Sequence, residues 1–307
     1  MVSDNLKLYF IYNPYSAGVL KRGSFLKKNY QRFNAQLYSL EKFSDVKLIV
    51  CKAIKNKASH ICIEGGDGTI HGVMTEFLKQ SPNLTLPSFM LIPGGNTNQI
   101  SRNIGIKSTS IKAFEKSFKM GSTINFPMLS ITDDKNNSYY GFLFSSGALP
   151  QMTEYTKKRF HQRGIGGSAA VLGGMIKGLK KKNKIVEPTK IKIDIETLKN
   201  HTIDSLHFGS IITTLPSLIL KLDPFWGKEE FPLRFTYASS NYKRFFRNVI
   251  SLWLGNKNKS RKKYGLSSWN AVKIKFYYTG PCMLDGELLK LSDKFIISST
   301  KPIKFIR

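Results

Sequence analysis

Residues 60–79 place three glycines between a run of strand formers and a run of helix formers. The residues at 60–63 (His-Ile-Cys-Ile) favour a β-strand, and those at 70–79 favour a helix. Between them, residues 65–69 read Gly-Gly-Asp-Gly-Thr, and so many glycines would be costly inside a regular element. They therefore indicate a tight strand-to-helix turn, which directs backbone N–H groups and a helix N-terminus towards an anion.

Asp67 lies in the middle of this glycine turn. Its carboxylate would repel a phosphate group unless a metal ion or a reacting hydroxyl lay between the two. The turn therefore predicts a nucleotide bound with Mg²⁺, because Mg²⁺ binds one or two carboxylates together with phosphate oxygens. The alternative is a tight structural turn in which Asp67 caps the following helix.

Strand-like and helix-like segments alternate through the first third of the chain. This order predicts a parallel sheet covered by helices, and ligands bind such sheets beyond the carboxyl ends of the strands. Two further turn-rich segments follow predicted strands, at 13–18 (Asn-Pro-Tyr-Ser-Ala-Gly) and at 93–98 (Pro-Gly-Gly-Asn-Thr-Asn). We expect both to lie beside the glycine turn. The predicted strands are 6–12, 35–40, 60–63 and 89–92, and the predicted helices are 25–33, 45–54 and 70–79.

From about residue 125 the pattern changes to strict alternation of apolar and polar residues. The runs at 190–196 and 272–276 alternate throughout, as half-exposed strands do. Similar runs at 139–144, 210–214 and 233–237 favour an antiparallel arrangement. The predicted fold class is therefore an α/β N-terminal domain with a parallel, helix-covered sheet, followed by an antiparallel β-sandwich-like C-terminal domain. The domain boundaries are 1–124 and 125–290, and residues 291–307 are a candidate return to the first domain.

The chain is strongly basic. It has 48 Lys and Arg against 20 Asp and Glu, a net charge of +28. Such a charge attracts an anionic membrane or nucleic acid, although a lysine-rich composition can also simply keep a surface soluble. Residues 241–264 hold eight basic and no acidic side chains among aromatic ones, which makes them the candidate for membrane docking. A solvated helix with one apolar side in the core is the alternative.

No apolar run reaches the roughly 20 residues of a membrane-spanning helix, and the first residues lack the features of a secretory signal. We therefore expect a cytoplasmic protein that associates peripherally with membranes. Three cysteines lack the spacing of a metal site or a disulfide framework.

Taken with residues 284–287 (Leu-Asp-Gly-Glu), the loops at 13–18, 65–69 and 93–98 resemble the diacylglycerol kinase catalytic domain family, which includes sphingosine and ceramide kinases. The motifs have the order and rough spacing of that family. The resemblance implies an ATP- and Mg²⁺-dependent lipid kinase that phosphorylates a hydroxyl of a diacylglycerol-like or sphingoid lipid in an anionic membrane surface, with no specific nucleic-acid partner.

Two other functions are compatible with these motifs. The sequence Gly-Gly-Asp-Gly-Thr also occurs in NAD kinases, so an NAD kinase-like protein or another kinase of a soluble substrate is one alternative. The other is a non-catalytic membrane- or nucleic-acid-binding protein on a degenerate kinase fold. The chain departs from the family at two of these positions. Gly72 stands where the family usually has Glu, which bears on activity, and Asn96 replaces the usual Thr of the third loop, a conservative polar exchange.

The resemblance also implies which residues form the site. Asp67 would bind Mg²⁺ directly or through water. Transfer to an alcohol requires a group that accepts the hydroxyl proton, and we favour Glu287, with Asp285 as its partner or as a metal contact. The alternative for this pair is an ordinary hairpin turn. The residues implied for the nucleotide site are Asn13, Pro14, Ser16, Ser39, Gly65, Gly66, Asp67, Gly68, Thr69, Gly95, Asn96 and Asn98.

Overall fold

The computed structural model divides the chain into two compact units, one formed by residues 1–128 and 300–307 and the other by residues 129–299. The predicted docking segment 241–264 lies outside the described residues. The residues that the structure describes are 6–81, 85–106, 109–120, 122–160, 187–218, 223–240 and 265–307.

The elements are numbered in chain order. The strands are β1 (Leu8–Tyr12), β2 (Gln36–Ser39), β3 (His60–Gly65), β4 (Ser88–Pro93), β5 (Thr123–Phe126), β6 (Leu129–Asp133), β7 (Ser138–Gly141), β8 (Leu143–Gly147), β9 (Thr189–Glu196), β10 (His201–Thr213), β11 (Leu233–Ser239), β12 (Leu266–Ala271), β13 (Lys273–Tyr277), β14 (Cys282–Leu284), β15 (Glu287–Leu289), β16 (Lys294–Ser299) and β17 (Ile303–Ile306). The helices are α1 (Ala17–Arg22), α2 (Phe25–Asn29), α3 (Asp45–Lys55), α4 (Asp67–Gln80), α5 (Gln99–Ile104), α6 (Ile111–Met120) and α7 (Ala148–Phe160).

The sheet of the first unit has the strand order β2-β1-β3-β4-β17-β5. All neighbours pair in parallel except the edge strand β5, which is antiparallel to β17. Strands β1 and β3 are buried almost throughout, as expected for a parallel sheet with both faces covered. This confirms the predicted α/β fold, in which β1, β3 and β4 end directly before the loops 13–18, 65–69 and 93–98.

The helix predicted at 25–33 is shorter than expected. It ends at Asn29 and is followed by a 3₁₀ turn, Gln31–Phe33, that closes with Asn34 in the left-handed region at φ 49°. The tighter turn brings the buried ring of Phe33 to 4.9 Å from that of Phe114 on α6, in an edge-on contact. Packing of this aromatic pair therefore overrides the helical periodicity of the sequence.

The second unit is built on an 11-stranded sheet in which every pair of neighbouring strands is antiparallel. The long strand β10 pairs with β9 along its first half and with both β8 and β11 along its second half. Alternate residues of β9 are buried in one hydrophobic core, as its sequence pattern predicts. The antiparallel C-terminal fold is thus confirmed, as one continuous curled sheet. No helix in the described ranges is long and apolar enough to cross a membrane.

A polar network around His207 is buried inside this sheet. Nδ1 of the imidazole lies 3.1 Å from the carbonyl oxygen of Thr189, and Nε2 lies 3.2 Å from the hydroxyl of Ser146. A carbonyl can only accept, so Nδ1 carries the proton and Nε2 accepts from Ser146. The rings of Tyr237 and Tyr278 pack against the imidazole. Burial lowers the pKa of His207, which favours the neutral ring.

This network predicts loss of stability in mild acid. Because the pKa of His207 is lower in the folded than in the unfolded protein, its contribution is fully present above the unfolded value of about 6.5 and is lost as the pH falls towards the folded pKa. The melting temperature should therefore drop between about pH 7.5 and about pH 5, and the drop should be smaller in the His207→Gln variant. An equal drop in both proteins would contradict this assignment.

Candidate functional site

Three loops at the carboxyl edge of the parallel sheet touch one another through their backbones. The N–H of Gly94 donates to the carbonyl of Gly65 at 2.8 Å, and the N–H of Gly18 donates to the carbonyl of Gly94 at 2.8 Å. A β-carbon added to Gly95 would lie 2.6 Å from Cα of Gly66, closer than non-bonded carbons approach. The glycines are therefore required because each loop lies against the next without room for side chains.

Polar side chains of the first loop bind to the glycine turn. The amide of Asn13 donates to the hydroxyl of Thr69 at 2.9 Å, and the N–H of Gly66 donates to the hydroxyl of Ser16 at 3.2 Å. Thr69 and Ser16 are buried. The structure thus brings together four of the residues predicted for the nucleotide site.

Asn98 gives the third loop its shape. It lies in the left-handed region at φ 50°, and its side-chain amide spans the loop by accepting from the N–H of Gly95 and donating to its carbonyl, both at 2.7 Å. Asn96, at the tip of this loop, is exposed. Pro14 of the first loop is half-buried.

The glycine turn ends at the N-terminus of α4, and the first N–H groups of a helix have no acceptor one full turn earlier. The N–H of Thr69 donates to the carbonyl of Gly66 at 3.0 Å, which tightens this turn. Gly66 is the N-cap, and α4 begins at Asp67. Gly68 is exposed, and a β-carbon added there would meet nothing within 4 Å. This end of the helix is therefore open to an anion, with the helix dipole in the favourable direction.

Asp67 caps a helix, although not the one that follows it. Its two carboxylate oxygens accept from the N–H groups of Gln99 and Ile100, each at 2.9 Å, in the first turn of α5. The carboxylate therefore joins the glycine turn to the third loop. Each oxygen keeps a second lone pair, so Asp67 can still contribute to a Mg²⁺ site in which phosphate and water are the other ligands. In the described part of the chain, no group of three or more His, Cys, Asp and Glu side chains could hold a metal.

Glu64 is a site residue that the sequence analysis did not identify. It is fully buried at the end of β3, where its carboxylate accepts from the hydroxyl of Ser24 at 2.6 Å. It also accepts from the N–H groups of Phe25 and Leu26, both at 3.0 Å. Nη2 of Arg22 lies 2.9 Å from the same carboxylate and 2.6 Å from the carbonyl of Pro93. A carboxylate within an otherwise apolar strand was the available signal, since a buried charge requires partners.

Ser39, at the end of β2, does not contact the three glycine loops through its hydroxyl. It donates instead to the carboxylate of Glu41 at 2.6 Å, and this carboxylate also accepts from the hydroxyl of Tyr15 in the first loop at 3.0 Å. The hydrogen bond from Ser39, followed by that from Tyr15, lowers the pKa of Glu41, so the group is an anion at neutral pH.

Gly72, where the family usually has Glu, faces the ring of Phe43. A β-carbon at this position would lie 2.1 Å from that ring. The exposed ring of Phe43 thus occupies the space into which a side chain at 72 would extend.

In the second unit, Asp285 and Gly286 form the two-residue loop of the hairpin β14–β15. Both have positive φ, 49° and 93°, and Leu284 pairs with Glu287 across the turn. The hairpin alternative therefore describes the backbone correctly. The carboxylate of Asp285 accepts from the N–H groups of Phe142 at 3.0–3.1 Å and Leu143 at 2.8 Å, which fixes the turn to the backbone at the start of β8.

Glu287 differs from Asp285 in its surroundings. It is the first residue of β15, and its side chain is exposed and makes no hydrogen bond or ion pair with the described residues of its own unit. The turn also separates the two carboxylates, so they are not on one face of an extended strand. Asp285 thus holds the hairpin, whereas the side chain of Glu287 extends from it without such contacts.

The comparisons with known proteins agree with these motifs. Residues 7–130 match the model of the diacylglycerol kinase catalytic domain. This match confirms the family that the sequence motifs predict. No curated protein matches the chain at the significance that we required.

Solved structures share the fold at low sequence identity. A candidate diacylglycerol kinase from Bacillus anthracis strain Sterne is 16% identical, with a TM-score of 0.69 over 98% of this chain and 96% of that one. A diacylglycerol kinase from the same organism is 14% identical, with a TM-score of 0.63 over 98% and 96%. An NAD kinase from Archaeoglobus fulgidus in complex with ATP is more distant, at 11% identity and a TM-score of 0.51 over 98% and 93%.

Two glycines of the site should respond differently to alanine. Gly95→Ala forces a β-carbon against the backbone of Gly66 and should destabilise the protein by about 1–3 kcal/mol in urea unfolding. Gly68→Ala adds a methyl group to an open helical position and should leave stability unchanged or raise it by up to about 1 kcal/mol. Equal destabilisation by both variants would contradict the loop contacts described above.

Proposed function

We propose that this protein is an ATP- and Mg²⁺-dependent lipid kinase that transfers the γ-phosphoryl group of ATP to a hydroxyl of a diacylglycerol-like or sphingoid lipid. The observation that carries the proposal is the contact of three glycine-bearing loops around the open N-terminus of α4. It lies in the segment that matches the model of the diacylglycerol kinase catalytic domain.

The phosphates of ATP would bind N–H groups at the start of α4. Gly68 lets the phosphate oxygens approach the backbone, and the helix dipole favours their charge. Asn13, Ser16, Thr69 and Asn98 would keep the loops in place, because their side chains already bind loop backbone or each other. The nucleotide would therefore meet a preformed site.

Asp67 is the residue proposed to hold Mg²⁺, directly or through water. Its carboxylate is oriented by the N–H groups of α5 and retains lone pairs for a ligand. When bound, the ion would neutralise charge on the transferring phosphoryl group.

Glu287 is proposed as the base that accepts the proton of the lipid hydroxyl as its oxygen attacks the γ-phosphorus. The bond from this phosphorus to the bridging oxygen of ADP breaks, and ADP leaves. Asp285 would act as a positioning residue, because its carboxylate binds the N–H groups of Phe142 and Leu143.

The lipid substrate is proposed to lie in an anionic membrane surface on the cytoplasmic side, with the protein bound peripherally. The net charge of +28 supports this location, since each Lys or Arg near an anionic leaflet contributes about 1 kcal/mol.

Radiolabelled ATP incubated with Mg²⁺ and a mixed lipid extract tests the reaction. Wild-type protein should transfer label to the organic phase, and Glu287→Gln should reduce the rate about 100-fold or more, because a positioned base contributes that much. Glu196→Gln is the matched control, since it removes an exposed carboxylate from another strand of the same sheet.

A parallel incubation with NAD in place of lipid tests the soluble-substrate alternative, which the fold of the ATP-bound NAD kinase motivates. The lipid kinase proposal would be overturned if wild-type protein transferred no label to the organic phase. It would also be overturned if a labelled water-soluble product other than ATP and phosphate formed only when NAD was present. Full activity of Glu287→Gln would overturn only the choice of base.

A further inference from the structure

Strands β1 and β2 end side by side at the carboxyl edge of the parallel sheet. Tyr12 and Ser39 are partners in the β1–β2 register, and the N–H of Leu40 donates to the carbonyl of Tyr12 at 2.9 Å. The chain that follows β2 therefore starts beside the loop that follows β1. In doubly wound sheets that bind the dinucleotide NAD, an acidic residue beyond the glycine turn binds a ribose hydroxyl, which offers a precedent for a carboxylate in this role.

Glu41 lies just after β2, and its side chain is held in place. The hydroxyl of Ser39 donates to Oε1 at 2.6 Å, and the hydroxyl of Tyr15 donates to Oε2 at 3.0 Å. Although Glu41 is exposed, its two oxygens are thus oriented before a ligand arrives. Each oxygen retains lone pairs that can accept a hydrogen bond.

The same loop connects Glu41 to the phosphate-binding turn. Beyond its bond to Glu41, Tyr15 donates its N–H to the side chain of Asn13 at 2.9 Å. Asn13 in turn donates to Thr69 of the glycine turn at 2.9 Å. The carboxylate therefore lies at one end of a continuous set of contacts, and the proposed phosphate site lies at the other.

Two large exposed aromatic side chains are associated with this carboxylate, Tyr15 through its hydrogen bond and Phe43 through its place two residues further along the chain. Tyr15 is 63% exposed and Phe43 is 67% exposed, with the ring of Phe43 lying against Gly72 of α4. Exposed aromatic rings beside a hydrogen-bonding group are typical of a ligand site, since the rings supply apolar area and the polar group fixes orientation.

We propose that Glu41 is the ribose-binding residue of the nucleotide site, where its carboxylate accepts hydrogen bonds from the 2′- and 3′-hydroxyls of ATP. This inference rests on the proposed function. A carboxylate would repel the phosphates of ATP, whereas two neighbouring hydroxyls match two oriented oxygens. The exposed face of Phe43 lies beside Glu41 in the chain and provides a surface for the base.

Titration calorimetry with ATP, 2′-deoxyATP and GTP, each with Mg²⁺ and without lipid, tests this assignment. Wild-type protein should bind ATP about tenfold more tightly than 2′-deoxyATP, because a hydrogen bond to a charged group is lost with the hydroxyl. Glu41→Ala should weaken ATP binding about tenfold and leave 2′-deoxyATP nearly unchanged. Tyr15→Phe should reduce the preference for ATP in part, because it removes only the hydroxyl that orients Oε2.

Glu115→Ala is the matched control, since it removes a half-buried carboxylate that bonds Arg32 elsewhere in the same unit. This variant should keep the wild-type preference for ATP. Equal binding of ATP and 2′-deoxyATP by wild-type protein would overturn the inference. Tighter binding of both ATP and 2′-deoxyATP to Glu41→Ala would also overturn it, because the carboxylate would then only repel the nucleotide. A third contrary result is a Glu41→Ala variant that changes only the preference between ATP and GTP, because Glu41 would then contact the base. Failure of folded wild-type protein to bind ATP at all would instead overturn the proposed function.

Discussion

Direct backbone contact between the glycine turn and the third loop determines the geometry of the candidate nucleotide site. Gly65 and Gly66 lie against Gly94 and Gly95 at distances that admit no side chain. Three interactions maintain this contact: the hydrogen bond between Gly94 and Gly65, the bonds of the Asp67 carboxylate to α5, and Arg22, which joins the buried Glu64 to the carbonyl of Pro93. Because the loops are already held together, the N–H groups of α4 can bind an anion without first paying the entropy of ordering a loop.

The fold could be predicted from the sequence because its two patterns are local. Apolar strands alternate with helices in the first unit, and polar and apolar residues alternate within strands of the second. The aromatic cluster that shortens α2 after Asn29 depends on Phe114, which is distant in the sequence, so periodicity could not predict it. The same holds for Glu64, because its role depends on partners from α1 and α2.

The motifs predicted which loops come together better than they predicted the contacts of individual residues. Asp67 caps α5, which is 32 residues away along the chain, and no local rule predicts such a contact. Asp285 and Gly286 form a hairpin loop, and the carboxylate of Asp285 binds the backbone at the start of β8. Asp285 and Glu287 therefore have different surroundings, although they are only two residues apart in the sequence. Glu41 had no motif to mark it, and its proposed role rests on its place after β2 and on the hydrogen bonds with Tyr15 and Ser39.

Amide hydrogen exchange with and without ATP and Mg²⁺ measures most directly whether the three loops form a nucleotide site. If they do, ATP should slow exchange at residues 65–69, 13–18 and 94–98, with the largest effect at the start of α4, where phosphate oxygens would accept from the N–H groups. Unchanged exchange in these loops at saturating ATP, or protection confined to the second unit, would contradict the central claim.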